Sequence, residues 1–151
     1  GLKMHALLGR RLVIVGGGFA GLECASAMAE GREVTVIEES PKFGNGIGII
    51  DRKPTINAVK EKGVTLESNT KLVSVNKSGV RVRNLETGDE YDIGCDTVLI
   101  SLGVEENLDL YHQIQESFPD AYLIGDATCE RGNVTRTLEA IDAGYKLGMS
   151  L

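Results

Sequence analysis

Residues 11–23 read Arg11-Leu12-Val13-Ile14-Val15-Gly16-Gly17-Gly18-Phe19-Ala20-Gly21-Leu22-Glu23. The apolar, largely β-branched run Leu12 to Val15 stops at three glycines, which is how a strand buried in a parallel sheet reads. Good helix formers follow from Phe19 to Glu30, with small Gly21 and Ala25 one turn apart on the face that carries Met28, and Gly31 as the stop. Arg32 to Glu38 returns to β character through Val34, Thr35, Val36 and Ile37. Strand, helix and strand thus close within about 30 residues, as a βαβ unit requires.

Gly16, Gly18 and Gly21 form G-x-G-x-x-G between a predicted strand and a predicted helix, the context that gives the pattern its meaning. The logic is steric at each point. Gly16 permits the tight turn, Gly18 lets backbone approach a pyrophosphate, and Gly21 lets helix and strand pack closely. With Gly17, Phe19 and Ala20 they surround the free N–H groups that open the helix and favour an anion. Glu38 lies 22 residues beyond Gly16 (38 − 16) at the end of the second strand. There a carboxylate accepts hydrogen bonds from both hydroxyls of an adenosine ribose and repels a 2′-phosphate. With Glu39 beside it and no arginine in the next several residues, the charge pattern favours NADH over NADPH, against the single nearby cation, Lys42.

Outward from this unit, Phe43-Gly44-Asn45-Gly46-Ile47-Gly48 is too rich in glycine for regular structure and reads as a flexible loop. A helix follows, with Asp51 as cap, Pro54 in its first turn and Gly63 as stop. After a short strand at Val64 to Leu66, apolar residues alternate at Val73 and Val75, Val80 and Val82, then Tyr91 and Ile93, with turn residues between them. This is an antiparallel meander. Thr97 to Ile100 and Ala121 to Ile124 read as buried parallel strands, the first followed by a helix near Leu108 to Glu116. The last helix runs from about Asn133 to Met149, its stripe of Val134, Leu138, Ile141 and Tyr145 expected to bury against the sheet. The alternation places residues 1–151 in one α/β domain: a Rossmann-like, doubly wound parallel sheet with an antiparallel β-meander.

Composition narrows the function. At 151 residues, 42% hydrophobic and 25% charged, the chain can bury one real core. A net charge of −6 with no cluster of Lys, Arg and aromatics argues against a nucleic-acid partner. No apolar run approaches the ~18 residues of a membrane span, so a soluble, cytoplasmic protein without a membrane partner is expected. Cys24, Cys95 and Cys129 are three and widely spaced, which suits buried thiols better than a disulfide framework. His5 and His112 have no neighbours that suggest catalysis or a metal site. Lys71 reads as a solvated meander residue.

The stretch GGGFAGLE at 16–23 resembles the NAD-domain signature of the pyridine nucleotide–disulfide oxidoreductase superfamily, with Glu23 at that signature's glutamate position. Residues 95–103, ending in Leu102 and Gly103, are similar to the superfamily's second characteristic strand. Residues 121–127 are similar to its flavin-contacting Gly-Asp motif, here Gly125-Asp126. Together with residues 138–145, this segment most resembles the carboxyl-terminal part of enoate reductases and 2,4-dienoyl-CoA reductases, the NADH:flavin oxidoreductase group to which trimethylamine dehydrogenase belongs. Relatives of that kind carry an FMN and iron–sulfur barrel, then an FAD domain into which an NAD(P) domain is inserted.

The resemblance implies that residues 10–105 are the NAD-type core and residues 118–151 the strand and helix of the flavin domain's Gly-Asp segment, the strand completing the core's sheet. It also implies that Asp126 bonds the ribityl or phosphate region of FAD. Only fifteen residues precede Gly16, and there is no four-cysteine cluster set. The expectation is a fragment whose partner is the remainder of a larger flavoenzyme, the barrel and the FAD half-domain, with NADH as the chain's own cofactor and FAD as that of the full enzyme. Two rivals use the same residues: a structural module for FAD or ADP that passes no electrons, and an interaction domain whose nucleotide site has decayed.

Overall fold

The computed structural model describes residues 8–128 and 137–151. His5, Cys129 and the expected start of the last helix at Asn133 and Val134 lie outside the described residues. The chain falls into two compact units that meet in sequence between Leu102 and Gly103.

In the first unit, β1 (Arg11–Val15), β2 (Glu33–Ile37), β3 (Thr65–Glu67) and β7 (Thr97–Ile100) form a four-stranded sheet in the order β3-β2-β1-β7. Every pairing in it is parallel. Because side chains alternate along a strand, β1 serves two cores at once. Leu12 and Ile14 join Val34 and Val36 on the face covered by α1 (Phe19–Met28) and α2 (Ile49–Glu61), through Leu22, Ala25 and Val59. Val13, Val15 and Ile37 turn to the opposite face and meet Val80 and Val82. Those two valines belong to the antiparallel sheet of β4 (Thr70–Asn76), β5 (Gly79–Asn84) and β6 (Glu90–Gly94). The continuous apolar run that announced β1 is therefore explained: neither face of the strand meets water. Helices cover one face of the parallel sheet and the meander covers the other.

At the amino end of β1 the Asp96 carboxylate accepts the N–H groups of Arg10 and Arg11, at 3.1 and 2.9 Å, and the Arg11 guanidinium at 2.7 Å. This ties the entry of β7 to that of β1. Arg11 and the two N–H groups hold the Asp96 carboxyl down at about 2, below the usual carboxylate range.

Two local expectations shift. The helix α2 begins at Ile49 with Gly48 as its cap, so Asp51 sits in the first turn and Pro54 lies inside the helix. The loop ahead of it sets that start, because Ile47 is buried and the N–H groups of Asp51 and Arg52 both turn back to the Gly48 carbonyl at 3.0 Å. The same loop is docked, not flexible: Phe43 and Ile47 both enter the helix-side core.

The second unit contains α3 (Asp109–Ile114), a single 3-10 turn at Gly125–Thr128, and α4 (Thr137–Ser150) packed on that turn. Ala121 to Ile124, expected as a strand completing the sheet, carries none. A β-strand is a relation between two segments, and among the described residues no segment pairs with this one. Leu138, Ile141 and Tyr145 were expected to bury and stand 77%, 64% and 67% exposed. An amphipathic stripe names a face of a helix; it buries only where another layer lies over that face. Among the described residues no helix is long and apolar enough to cross a membrane.

Candidate functional site

The glycine turn sits at the carboxyl end of β1, where an open parallel sheet receives ligands. Gly16 takes φ +106°, a conformation that L side chains resist, and a Cβ there would strike the Ser101 carbonyl oxygen just after β7. Gly21, one turn into α1, lies so close that a Cβ would overlap the carbonyl oxygen of Gly16. The helix thus rests directly on the turn, as the spacing of the motif predicts.

Gly18 caps α1 with no side-chain hydrogen bond, so the first N–H groups of the helix must find other acceptors. The Phe19 N–H donates to the Asn45 carbonyl at 3.1 Å, and the Gly44 N–H donates to the Gly17 carbonyl at 2.7 Å. The segment from Phe43 to Ile47 is therefore strapped onto the glycine turn, and a side chain at Gly17 would collide with the Phe43 ring. Among the described residues the N–H groups of Gly18, Ala20 and Gly21 have no acceptor. They are the donors left for an anion at the start of α1. Sequence reading missed this strap. Its signal was the pair of large apolar residues, Phe43 and Ile47, set four apart in an otherwise small and polar stretch.

Glu38 is half-buried beside the turn. Its Oε2 accepts the Gly17 N–H at 2.7 Å and its Oε1 accepts the Ser40 N–H at 2.8 Å. A carboxylate offers about four lone-pair sites, so two remain for further donors after these bonds. Backbone bonds hold the segment in place: the Glu38 N–H donates to Glu67 and the Thr70 N–H donates to the Glu38 carbonyl, both at 2.9 Å. Glu39 points away to Lys71, whose Nζ lies 3.3 Å from its Oε2. Lys42 is exposed.

The structure brings Gly16, Gly17, Gly18, Phe19, Ala20, Gly21 and Glu38 into one cluster. Glu23 lies in the second turn of α1 and is exposed. Leu102 is exposed just after Ser101, with its N–H near the vacant Cβ position of Gly16. Gly103, Gly125 and Asp126 belong to the second unit. There Gly125 and Asp126 open the 3-10 turn that the Thr128 hydroxyl closes on the Gly125 carbonyl at 2.8 Å. Burial pushes the thiols of Cys24 and Cys95 above their ordinary value, so both stay protonated.

Comparison with known proteins agrees with this fold. Residues 2–144 match the family described as pyridine nucleotide-disulphide oxidoreductase. The dihydrolipoyl dehydrogenase of Pseudomonas aeruginosa is 39% identical over 97 residues, which are 64% of this chain and 21% of that protein. The cinnamate reductase of Clostridium sporogenes is 24% identical over 148 residues, 95% of this chain and 21% of that protein. A solved 2-naphthoyl-CoA reductase in complex with 2-naphthoyl-CoA superposes with a TM-score of 0.75 at 26% identity, covering 95% of this chain and 21% of that one. The chain spans about a fifth of the length of each of these relatives.

Proposed function

The chain belongs to the pyridine nucleotide-disulphide oxidoreductase family, and from that premise we propose that it is the NADH-binding part of a larger flavin-dependent reductase of the enoate-reductase kind. One observation carries the proposal: a carboxylate with spare acceptor sites, Glu38, is bonded to the same glycine turn that leaves the N–H groups of Gly18, Ala20 and Gly21 without acceptors. Those two features suit the two ends of an adenosine diphosphate, a ribose diol and a pyrophosphate.

In this reading the amides at the start of α1 hold the pyrophosphate and Glu38 accepts from the ribose hydroxyls. Gly16 and Gly21 let strand and helix approach closely enough to make the cleft. Glu23, Leu102 and Gly103 are the further positions that the family resemblance supplies, and Gly125 and Asp126 would serve the flavin of the full enzyme. When bound, NADH supplies a hydride that the flavin accepts. No side chain here is asked to act as acid, base or nucleophile, because the chain's contribution is placement.

Calorimetric titration of the purified chain with NADH, NADPH, FAD and ADP tests the proposal. NADH binding that is abolished by Glu38→Arg supports it. Preference for FAD or ADP over NADH would assign a structural nucleotide module, and no binding of any of the four would leave an interaction domain.

A further inference from the structure

The Glu39–Lys71 ion pair stands at the adenosine end of the proposed site and is held there by backbone. Besides the bonds at Glu38, the Asn69 N–H donates to the Ser40 carbonyl at 3.2 Å, so residues 38–40 are laced to residues 67–70. Asn69 reverses the chain in the left-handed region, at φ +51°, and the buried Thr70 hydroxyl donates to the Ser68 carbonyl at 2.9 Å. Lys71 follows Thr70, whose N–H is bonded to the Glu38 carbonyl. Its side chain and that of Glu39 are each 52% exposed, and a pair so open to water contributes little to stability. Its effect is on the local field.

Glu38 spends an oxygen each on Gly17 and Ser40, and the ammonium of Lys71 goes to Glu39. The three groups carry two negative charges and one positive, a net −1 that disfavours a phosphate on the ribose.

We infer that the Glu39–Lys71 pair sets the discrimination between NADH and NADPH, Glu39 withholding the Lys71 ammonium from a 2′-phosphate. The inference rests on the reading of Glu38 as the ribose ligand. With Glu39 neutralised, Lys71 and Glu38 balance, and the ammonium becomes available to a phosphate placed next to Glu38.

Fluorescence titration of the 151-residue chain with NADH and with NADPH, in the wild type, Glu39→Gln, Lys71→Gln and the double variant, reads this directly. Neutralising Glu39 removes a repulsive charge in either background, so the coupling between the two positions is the decisive quantity. The expected result is that Glu39→Gln raises the NADPH-to-NADH affinity ratio about fivefold more when residue 71 is Lys than when it is Gln. The excess should fade in ~1 M salt. Equal shifts in both backgrounds overturn the inference and leave the NADH reading standing. A wild-type chain that binds neither nucleotide removes that reading, and this inference with it.

Discussion

Glu38 Oε2 accepts the Gly17 N–H at 2.7 Å, which fastens the end of β2 to the turn that follows β1. The acid at this position therefore does two things. It holds the glycine turn in shape, and it keeps the acceptor sites that the proposed function assigns to a ribose. Charge-assisted bonds to backbone N–H groups are among the stronger ones in proteins.

Separating the two roles is possible by mutation. Glu38→Ala removes both backbone bonds and is expected to lower stability by about 2 kcal/mol, read as a shift in urea midpoint. Glu38→Gln keeps one acceptor and should cost about 1 kcal/mol. Both should weaken NADH binding at least tenfold. If Glu38→Gln binds NADH as tightly as the wild type, the carboxylate is a structural tie only.

Gly21→Ala is expected to be strongly destabilising although Ala is the better helix former. The added methyl would overlap the Gly16 carbonyl oxygen, which is backbone and cannot swing aside. A loss of about 2 kcal/mol or more follows from forcing helix and turn apart. Gly148→Ala in α4, where nothing stands within 4 Å of the new methyl, should be neutral or slightly stabilising. Thermal midpoints of the two variants settle the comparison; similar values for both would show that α1 does not rest on the turn.

Asp96 predicts a pH dependence. Its folded pKa, about 2, lies below the ordinary carboxylate value of about 3.9 because the Arg11 guanidinium and the N–H groups of Arg11 and Arg10 favour the charged form. A depressed pKa contributes stability that is present above the unfolded value and is lost as pH falls through the folded one. Stability should therefore decline between about pH 4 and pH 2. Asp96→Asn should be less stable at neutral pH and should show a shallower decline over that window. Some decline will persist, since hydrogen bonds from Arg83 and Arg81 also lower Glu90. Parallel pH profiles for wild type and variant would exclude Asp96 as a contributor.

Ile14 and Leu138 should respond oppositely to truncation. Ile14 is fully buried, and Ile14→Ala should cost about 2–5 kcal/mol. Leu138 is 77% exposed, and Leu138→Ala should change the stability of this chain by less than about 0.5 kcal/mol. A large loss at Leu138 in chemical denaturation would mean that the apolar face of α4 is covered in solution.

Much of the site was legible in the residues because its determinants are local. Positive φ at Gly16 and the close approach at Gly21 are demands of one turn, and three glycines at fixed spacing announce them. The run Leu12 to Val15, the repeat of β character at Val34 to Ile37, and the alternation through Val80 and Val82 likewise declared their elements. The strap from Phe43 to Ile47 was legible only as two large apolar residues in a glycine-rich stretch, not in its attachment to the turn. Its bonds run between backbone groups, Gly44 to Gly17 and Phe19 to Asn45, and backbone groups are the same in every sequence.

By itself, then, the order of residues determined the strands and helices of the first unit, where the glycine turn lies and which acid follows the second strand, since each follows from contacts a few residues apart or from the period of a single element. Tertiary structure decided the rest. Glu38 is bonded to Gly17, Glu39 turns to Lys71, Phe43 closes on the glycine turn, and Ala121 to Ile124 makes no strand. In each case the outcome depends on what lies opposite the segment in space, and that neighbour is distant along the chain.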